Sequence, residues 1–248
     1  MGRFEAPVEF YRYREPYPAA FFESVVGQLG LNRGTRLLDV GCGPGILAIG
    51  FAPFVGRSTA IDPEPGMLRA ARAAASHAHV QIEFLETPIE ALQSRDSSFD
   101  FVTIGRALHW LNRDKALAVL DRIVAPGGRI AICGAPTTDA PINAWAPKFK
   151  EVRNDWASER DESRYRPDLD QWFASSRFRR VEDLSVLHRH RVMVEDLVRR
   201  ALSYSTTSLA VIADRRPHFE AAVRAAVEPF SDDGAIEEEV AAKATIFA

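Results

Sequence analysis

The sequence predicts an α/β fold in which helices cover both faces of a mostly parallel sheet. An apolar strand at 36–40 runs into a glycine-rich turn and then into a helix that begins near Ile46. A second apolar run at 57–62 ends on an acid, Asp62, and the later apolar segments alternate with helix-patterned ones. This alternation is the rhythm of βαβ units, whose right-handed crossovers bring a ligand to the carboxyl ends of the strands.

Each element follows from apolar periodicity bounded by turn residues. A lead helix is expected at 19–30, before the strand at 36–40. The further elements expected in chain order are strand 57–62, helix 65–76, strand 80–85, strand 99–104, helix 113–124, strand 129–134, strand 178–191, helix 194–205 and helix 216–228. The segment 137–175 breaks this pattern, because it is rich in proline and contains three tryptophans.

Composition narrows the possible functions. The 248 residues suffice for one large core, and 46% apolar with 26% charged residues is ordinary for a globular protein. The net charge of −3 and the isoelectric point near 6.1 argue against nucleic-acid binding by bulk electrostatics. No apolar run approaches the ~18 residues of a membrane span. We expect neither a nucleic acid nor a membrane as partner.

The two cysteines and the first residues bear on the cellular compartment of the protein. Cys42 and Cys133 show no metal-ligand spacing, so no metal is expected. The first residues include Arg3, Glu5 and Glu9 and lack an apolar signal core. We therefore expect reduced thiols and a cytoplasmic protein.

The glycine turn separates two classes of cofactor. Its glycines are Gly41, Gly43 and Gly45, spaced G-x-G-x-G, with Asp39 two residues before the first. A dinucleotide site instead reads G-x-G-x-x-G and delivers a pyrophosphate to a helix N-terminus. An acid at this place suits an ammonium or hydroxyl group better than a pyrophosphate, so the turn favours another nucleoside-bearing cofactor.

Asp62 lies 23 residues after Asp39, where the second strand ends. A carboxylate at this position can accept hydrogen bonds from both hydroxyls of a ribose. The alternative is that Asp62 caps the helix that starts at Glu64.

The residues 37–45, LLDVGCGPG, resemble the D-x-G-x-G-x-G turn of class I S-adenosylmethionine-dependent methyltransferases. Residues 60–68, 98–104 and 125–132 are similar, in order, to three further segments of that family. Residues 11–18 resemble, more loosely, the entry segment of a small-molecule branch that includes trans-aconitate methyltransferase-like enzymes.

The resemblance implies a Rossmann-like sheet of seven strands, mostly parallel, with helices on both faces and a helical cap. Residues 235–247 would form its antiparallel last strand. The parts expected are one methyltransferase domain over 1–248, an N-terminal lid segment at 1–30, a cofactor-binding core at 34–134, and acceptor-side cap elements at 137–177 and 194–230.

The resemblance also implies the cofactor S-adenosylmethionine, with S-adenosylhomocysteine as product. The glycines would pass beneath its aminoacyl chain, Asp39 would accept from its ammonium group directly or through water, and Asp62 would hold its ribose. The cofactor contacts expected are Asp39, Gly41, Cys42, Gly43, Gly45, Asp62, Pro63, Met67, Ile89, Gly105, Arg106 and Arg14. Cys42 is expected to fill a gap rather than act as a nucleophile.

Two of these positions leave alternatives open. Where many relatives carry an acid for the adenine amino group, this chain has Pro88, which offers no side-chain acceptor. The backbone N–H of Ile89 could still donate to an adenine ring nitrogen. Met67 lines the adenine or belongs to the core.

The acceptor side is expected after strand 99–104. A carbonyl of Gly105 or Arg106 could hold the cofactor ammonium, and His109 could act as a base, orient a carbonyl or pack beside Trp110. Tyr11, Tyr13, Arg14 and Tyr17 form either a lid, with Arg14 on the cofactor carboxylate, or a flexible N-terminus. The substrate contacts expected are Tyr11, Tyr17, His109, Trp110 and Trp145.

These observations predict a methyltransferase that acts on a small molecule, with an oxygen as acceptor atom. A carboxylate is ionised at pH 7 and needs no base, which fits the lack of an evident base in the sequence. The alternatives are N- or C-methylation, a non-catalytic S-adenosylmethionine-binding module, and an NAD-dependent oxidoreductase, which the glycine spacing disfavours. The chain is expected to be a monomer or homodimer.

Overall fold

A computed structural model describes residues 8–157 and 167–248. Within these residues, seven strands form one sheet in the order β3-β2-β1-β4-β5-β7-β6. The strands are β1 (Arg36–Val40), β2 (Arg57–Asp62), β3 (Glu83–Glu86), β4 (Phe99–Gly105), β5 (Val124–Gly134), β6 (Arg180–Met193) and β7 (Ala235–Phe247).

Helices alternate with these strands along the chain. The α-helices are α1 (Ala19–Leu29), α2 (Ile46–Phe51), α3 (Pro65–His77), α4 (Arg113–Ile123), α5 (Ala146–Trp156), α6 (Leu169–Phe173), α7 (Val194–Leu202), α8 (Leu209–Ile212) and α9 (Arg216–Val227). Short 3₁₀ helices include Val8–Tyr13, Ile89–Ala91 and Leu108–Trp110. No helix of the described part of the chain is long and apolar enough to cross a membrane.

The strand pairing confirms the predicted fold class. β1 pairs in parallel with β2 and with β4, and β4 pairs in parallel with β5. β7 runs antiparallel to β5, from Ile130 opposite Phe247 to Gly134 opposite Lys243. Because the strand order reverses between β1 and β4, the carboxyl ends of these two strands border the crevice where α/β sheets bind ligands.

The predicted and observed bounds agree best where strands are fully buried. β1 and β2 have the predicted bounds, whereas β3 starts at Glu83 instead of residue 80. β5 starts at Val124, five residues before the predicted start, because Val124 pairs with Phe99 across an irregular register. The register passes from Phe99 opposite Val124 to Phe101 opposite Arg129, so the Ala125–Gly128 stretch between them interrupts the pairing, and Gly127 takes the positive φ of 75° that its turn-like sequence favours.

The chain divides into two compact units. The first, here called the core unit, comprises residues 17–134, 167–186 and 243–248 of the described chain. Aromatic rings join α1, α2 and β4 within it: Phe22 meets Phe51 at 4.9 Å between ring centroids, and Phe51 meets Phe101 at 5.3 Å, both edge to face. Such pairs add to the free energy gained by burying the rings.

The second, here called the accessory unit, comprises residues 8–16, 135–157 and 187–242 of the described chain. Its hydrophobic core is built mainly by α5, α7 and α9. The fully or nearly buried apolar residues of this core are Phe10, Trp145, Phe149, Val192, Val194, Leu197, Val198, Ala201, Leu202, Ile212, Phe219, Val223, Val227 and Ile236.

The predicted lid and cap segments cross the boundaries of these two units, and their roles stay predictions. The predicted lid at 1–30 divides at residue 16, because α1 buries Phe21 and Phe22 in the core unit. The predicted cap at 137–177 also divides, since Phe173 stacks on Phe247 of the core unit at 4.1 Å. Residues 1–7 and 158–166 of these predicted segments lie outside the described residues.

Candidate functional site

The glycine turn after β1 adopts a backbone that L-residues rarely take. Gly41, Gly43 and Gly45 have φ of 63°, 53° and 84°. A Cβ on Gly41 would lie 2.5 Å from the Cβ of Ala107, closer than real Cβ atoms approach. The turn therefore requires glycine at position 41 for space as well as for conformation, and it presents backbone rather than side chains.

Asp62, at the end of β2, holds this turn. Its Oδ2 accepts a hydrogen bond from the N–H of Gly43 at 2.9 Å, and its Oδ1 accepts from the N–H of Glu64 at 2.9 Å. Asp62 is 8% exposed, and burial raises its pKa against the two hydrogen bonds. Each carboxylate oxygen has a further lone pair, so the group can still accept from two ligand hydroxyls.

Asp39 lies deeper than the sequence suggests. Its side chain is buried, its Oδ1 accepts from the hydroxyl of Thr103 at 2.8 Å, and its Oδ2 accepts from the N–H of Ala48 at 3.1 Å. Burial raises the pKa of Asp39 to about 7, although both hydrogen bonds work in the opposite direction. This geometry favours a carboxylate that ties β1, β4 and α2 together over one that contacts a ligand ammonium directly.

Both cysteines are buried in the core unit. Burial, together with the nearby charges of Asp39 and Asp62, raises the pKa of the Cys42 thiol. Burial also raises the pKa of the Cys133 thiol. A thiol held in the protonated form is a poor nucleophile, which agrees with Cys42 as a packing residue of the turn.

The carboxyl end of β4 faces the same turn from the neighbouring strand. A Cβ on Gly105 would lie 2.5 Å from Cδ1 of Leu47 and 3.7 Å from the hydroxyl oxygen of Tyr17. Arg106 has φ of 58°, which is uncommon for a residue other than glycine, and its guanidinium lies 5.2 Å from the centroid of the Tyr17 ring. The backbone of Gly105 and Arg106 is thus fixed beside the glycine turn.

The remaining predicted residues of the core unit surround this edge. His109 and Trp110 are half-buried in a 3₁₀ helix, with their ring centroids 4.7 Å apart. Ile89 buries its side chain, and its N–H lies in the first turn of another 3₁₀ helix, where no intrahelical acceptor precedes it. Pro63 is exposed, and the buried Met67 places its sulfur 3.9 Å from a Cβ built on Gly43.

Three predicted residues lie in the accessory unit. Tyr11 and Arg14 belong to its N-terminal segment, and Trp145 precedes α5. Trp145 is 1% exposed and its ring packs against Phe149 at 5.7 Å. Trp145 thus belongs to the hydrophobic core of this unit, with its indole N–H buried and without a hydrogen-bond partner among the described residues, and its role as a substrate contact stays a prediction.

Sequence reasoning missed Thr103, the partner of Asp39. Thr103 lies directly opposite Asp39 in the register of β4 against β1. A single threonine within the apolar run of β4 was the available signal, since a buried hydroxyl requires a partner.

Neither a cluster of metal-ligating side chains in the described residues nor the cavity lined by Thr35, Asp100 and Arg129 lies at this edge of the sheet. No group of three or more metal-ligating side chains occurs in residues 8–157 and 167–248. A cavity of about 390 Å³ in the core unit lies at the amino ends of the strands, where Thr35, Asp100 and Arg129 contribute to its lining. It is therefore separate from the glycine turn.

Comparisons with known proteins agree with this geometry. Residues 38–132 match the family described as Methyltransferase domain. A ubiquinone biosynthesis O-methyltransferase of Methylocella silvestris is 36% identical over 102 residues, which are 41% of this chain and 35% of that protein. A malonyl-[acyl-carrier protein] O-methyltransferase of Pseudescherichia vulneris is 34% identical over 108 residues, which are 43% of this chain and 41% of that protein. The chain thus spans less than half the length of these two curated relatives.

A solved structure extends the likeness of fold to almost the whole chain. The structure of a putative type II methyltransferase from Anaeromyxobacter dehalogenans superposes with a TM-score of 0.64 at 21% identity. The superposition covers 94% of this chain and 96% of that one. Both units are therefore included in the shared fold.

Proposed function

Because residues 38–132 match the family described as Methyltransferase domain, we propose that this chain transfers the methyl group of S-adenosylmethionine to an oxygen atom of a small molecule. The observation that carries this proposal is the bond between the Asp62 carboxylate and the N–H of Gly43 at 2.9 Å. It joins an acid suited to a ribose to a turn that exposes backbone. The spacing of that turn, G-x-G-x-G, does not suit the pyrophosphate of NAD.

The residues of the core unit fit such a cofactor. Asp62 has lone pairs left for two ribose hydroxyls, and Gly43 has space on its Cα where a side chain would stand. The N–H of Ile89 is placed at the start of a 3₁₀ helix and can donate to an adenine ring nitrogen. Carbonyls of Gly105 and Arg106, fixed by the left-handed backbone at Arg106, can accept from the ammonium group.

When bound, S-adenosylmethionine would supply a methyl carbon made electrophilic by its cationic sulfur; transfer to the acceptor oxygen breaks the carbon–sulfur bond and leaves S-adenosylhomocysteine. The residues of this chain then have to align the acceptor with the carbon–sulfur bond and exclude water. His109 and Trp110 are half-buried beside the end of β4 and can bound the acceptor on that side. No step requires the buried thiols.

The oxygen acceptor is supported by the names of the two curated relatives, both O-methyltransferases. Among oxygen acceptors we favour a carboxylate, because it is already ionised at pH 7 and no base has to remove its proton. An alcohol or phenol would need such a base, and His109 in the described core unit would be the candidate.

The test is methyl transfer from S-adenosylmethionine labelled in the methyl group, using a pooled extract of small metabolites as acceptor. Label that is released as methanol by mild alkali identifies a methyl ester and therefore a carboxylate acceptor. Label retained after alkali indicates an ether, amine or carbon acceptor and refutes the carboxylate.

Binding is measured alongside turnover by titrating S-adenosylhomocysteine into the wild type and the variants Asp62→Ala and Asp170→Ala. Asp170 serves as the control, because its carboxylate pairs with Arg180 at 3.4 Å on the surface. Loss of binding in Asp62→Ala alone supports the proposed ribose contact. Binding of S-adenosylhomocysteine without any incorporation of label would identify a non-catalytic S-adenosylmethionine-binding module. NADH is titrated in parallel, and tighter binding of NADH than of S-adenosylhomocysteine would refute S-adenosylmethionine as the cofactor.

A further inference from the structure

The exposed apolar side chains of the described residues concentrate on one strand. Four large apolar residues of this part of the chain are exposed, and three of them lie on β6: Val181 at 56%, Leu187 at 64% and Met193 at 49% exposure. Because side chains alternate between the two faces of a strand, these three project from the same face. Single exposed apolar residues are ordinary, but a row of them along one strand indicates a contact surface.

The strand β6 also has an open edge. It is the last strand of the sheet, so within residues 8–157 and 167–248 it has β7 as its one neighbour. The strand is unbroken over 14 residues, Arg180–Met193. Every second residue of such a strand directs its N–H and C=O groups to the open side, where a further strand can bind them. The edge is therefore long enough to pair with another strand.

The exposed face of β6 is complementary to itself. It carries, in chain order, Val181, Asp183, Ser185, Leu187, Arg189, Arg191 and Met193. In an antiparallel pair of two such strands with Leu187 opposite Leu187, Val181 of one copy faces Met193 of the other. Asp183 in the same way faces Arg191 of the other copy. Apolar side chains thus meet apolar ones and an acid meets a base, and such cross-strand pairs stabilise sheets.

Other registers lose this match. Moving the pairing by two residues in one direction places Val181 opposite Arg191, and moving it in the other direction places Asp183 opposite Met193. A shift by one residue pairs the exposed face with the half-buried face of the other copy. Charges on an edge strand usually deter pairing with other chains. On β6 they deter the wrong registers and match in the one centred on Leu187.

The charged groups of this face have partners within the chain but stay accessible. Oδ1 of the half-exposed Asp183 accepts from the hydroxyl of Thr245 at 2.8 Å, and its other oxygen pairs with Arg180. The half-exposed Arg191 lies 3.6 Å from Glu237. A carboxylate has several lone pairs and a guanidinium has several N–H donors, so both can take a further partner. Such surface pairs contribute little affinity, so they select the register while the apolar contacts supply the affinity.

We propose that this protein forms a homodimer with two-fold symmetry, in which the β6 edges of two copies pair antiparallel about Leu187. The two sheets then continue into one. Two-fold symmetry repeats every contact, so the few side chains of one strand count twice. The partner is a second copy because the strand supplies its own complement. The proposal goes beyond the proposed function and does not rest on it, since three strands separate β6 from β1 in the sheet.

Sedimentation velocity of the full chain, from about 1 to about 100 µM, tests the association. We expect wild type to become dimeric over this range. Leu187→Arg places two like charges on the symmetry axis and should weaken the dimer at least about tenfold. Because Leu187 is exposed, this variant should keep the melting temperature of wild type. Wild type that stays monomeric, as expected if β6 binds a different protein, overturns the proposal, and so does a Leu187→Arg variant that dimerises equally well.

Charge reversal tests the register. Asp183→Arg and Arg191→Asp should each weaken the dimer at least about tenfold, since each creates two like-charged contacts. Mixed in equal amounts, the two variants should associate with each other, because every introduced charge then faces its opposite. Glu83→Arg is the matched control: Glu83 pairs with Arg57 at 2.7 Å and lies on β3, the strand at the other end of the sheet. The register is overturned if the mixture associates no better than either variant alone, or if Glu83→Arg weakens the dimer as much.

A disulfide across the axis gives an independent readout. Residues directly opposite in antiparallel strands have Cα atoms about 4.5–5.5 Å apart, which a disulfide can span. Oxidised Leu187→Cys should therefore form a covalent dimer, and the buried Cys42 and Cys133 should not compete. Ser185→Cys is the control, because the same face exposes it but it lies opposite Arg189 of the other copy. Equal cross-linking of the two variants would overturn the axis at Leu187. Leu187→Cys and Leu187→Arg carry the test if a charge-reversed variant does not fold.

Discussion

The carboxylate of Asp62 accepts a hydrogen bond from the backbone N–H of Gly43 at 2.9 Å. The residue proposed to hold the ribose therefore also fixes the glycine turn that is proposed to pass under the rest of the cofactor. A change at Asp62 should accordingly act on both parts of the site at once, and the conformation of the turn should depend on the charge at the end of β2.

Asp62→Asn should weaken the binding of S-adenosylhomocysteine by about two orders of magnitude. The amide keeps one acceptor oxygen, but its NH₂ group faces the N–H of Gly43 or Glu64 and cannot accept from a ribose hydroxyl. Two hydrogen bonds to a charged group, each worth about 1.5–3 kcal/mol, are then lost or weakened. Calorimetry measures the change, and an affinity equal to that of wild type would contradict the ribose assignment.

Asp39→Asn should flatten the dependence of stability on pH. The pKa of Asp39 is raised to about 7 in the folded protein from an ordinary value of 3.8, chiefly by burial. The folded state thus keeps a proton that the unfolded chain has released, so the free energy of unfolding falls as pH rises from about 4 to about 7 and is level above that range. The slope is at most about 1.4 kcal/mol per pH unit for one proton.

Urea unfolding of wild type and Asp39→Asn at pH 5, 6, 7 and 8 measures this. The asparagine can accept from the N–H of Ala48 and donate to the hydroxyl of Thr103, so the fold should persist. Other titrating groups are common to both proteins and cancel in the difference. Parallel stability curves would show that the carboxyl group of Asp39 does not titrate in this range.

Gly41→Ala should destabilise the protein more than Gly30→Ala. Both glycines have φ of 63°, so an alanine at either position carries a similar conformational cost of about 1–2 kcal/mol. A Cβ at Gly30 meets nothing within 4 Å, whereas one at Gly41 overlaps the Cβ of Ala107 at 2.5 Å. The overlap should add about 1–3 kcal/mol.

Thermal and urea unfolding of the two variants isolate that overlap. The double variant Gly41→Ala/Ala107→Gly removes the colliding carbon and should recover part of the loss. Equal destabilisation of the two single variants would mean that the turn can move away from β4.

Glu238→Gln should cost about 3–5 kcal/mol of stability, because it removes the counterion that is hydrogen-bonded to the buried Arg200 and leaves only Glu15, 3.9 Å away. Both side chains are nearly inaccessible, at 2% and 0% exposure for Arg200 and Glu238. Glu195→Gln is the control, since Glu195 pairs with Arg224 on the surface and such a pair contributes about 0–1 kcal/mol. Similar losses in urea unfolding for the two variants would indicate that water reaches the Arg200 site.

His109→Asn should leave the turnover number close to that of wild type across pH 6 to 9 if the acceptor is a carboxylate. In that case His109 contributes through its contact with Trp110, at 4.7 Å between ring centroids, and the variant should change the KM for the acceptor instead. A fall of about 10²–10⁴ in turnover, with loss of one limb of the pH profile, would identify His109 as a base.

The local sequence predicted the glycine turn and the two strands β1 and β2 well. β1 and β2 have the predicted bounds, and the three glycines form the predicted turn, where each has a positive φ, because spacing and strand periodicity are local properties. The sequence did not reveal that Asp39 is enclosed. That depends on Thr103, 64 residues away in the chain and opposite it only once the strands pair.

The accessory unit was harder to predict for the same reason. Trp145 lies in a hydrophobic core whose members come from segments as far apart in the chain as Phe10 and Ile236, and its sequence neighbourhood does not reveal this. The guanidinium of Arg14 lies 3.8 Å from the ring centroid of Tyr204, yet the two residues are 190 positions apart and no motif relates them. Contacts that depend on the packing of helices leave little trace in a single sequence.

The position of β7 in the sheet affects how the protein is made. β7 lies between β5 and β6, yet its residues are synthesised after both of them. Until residues 235–247 have left the ribosome, β5 and β6 each have an edge without its partner strand. Ile130 and Ile132 lie in β5, where β7 later pairs. Open edges of this kind pair readily with other chains. Nascent chains stalled before residue 235 should therefore need a chaperone to stay in solution.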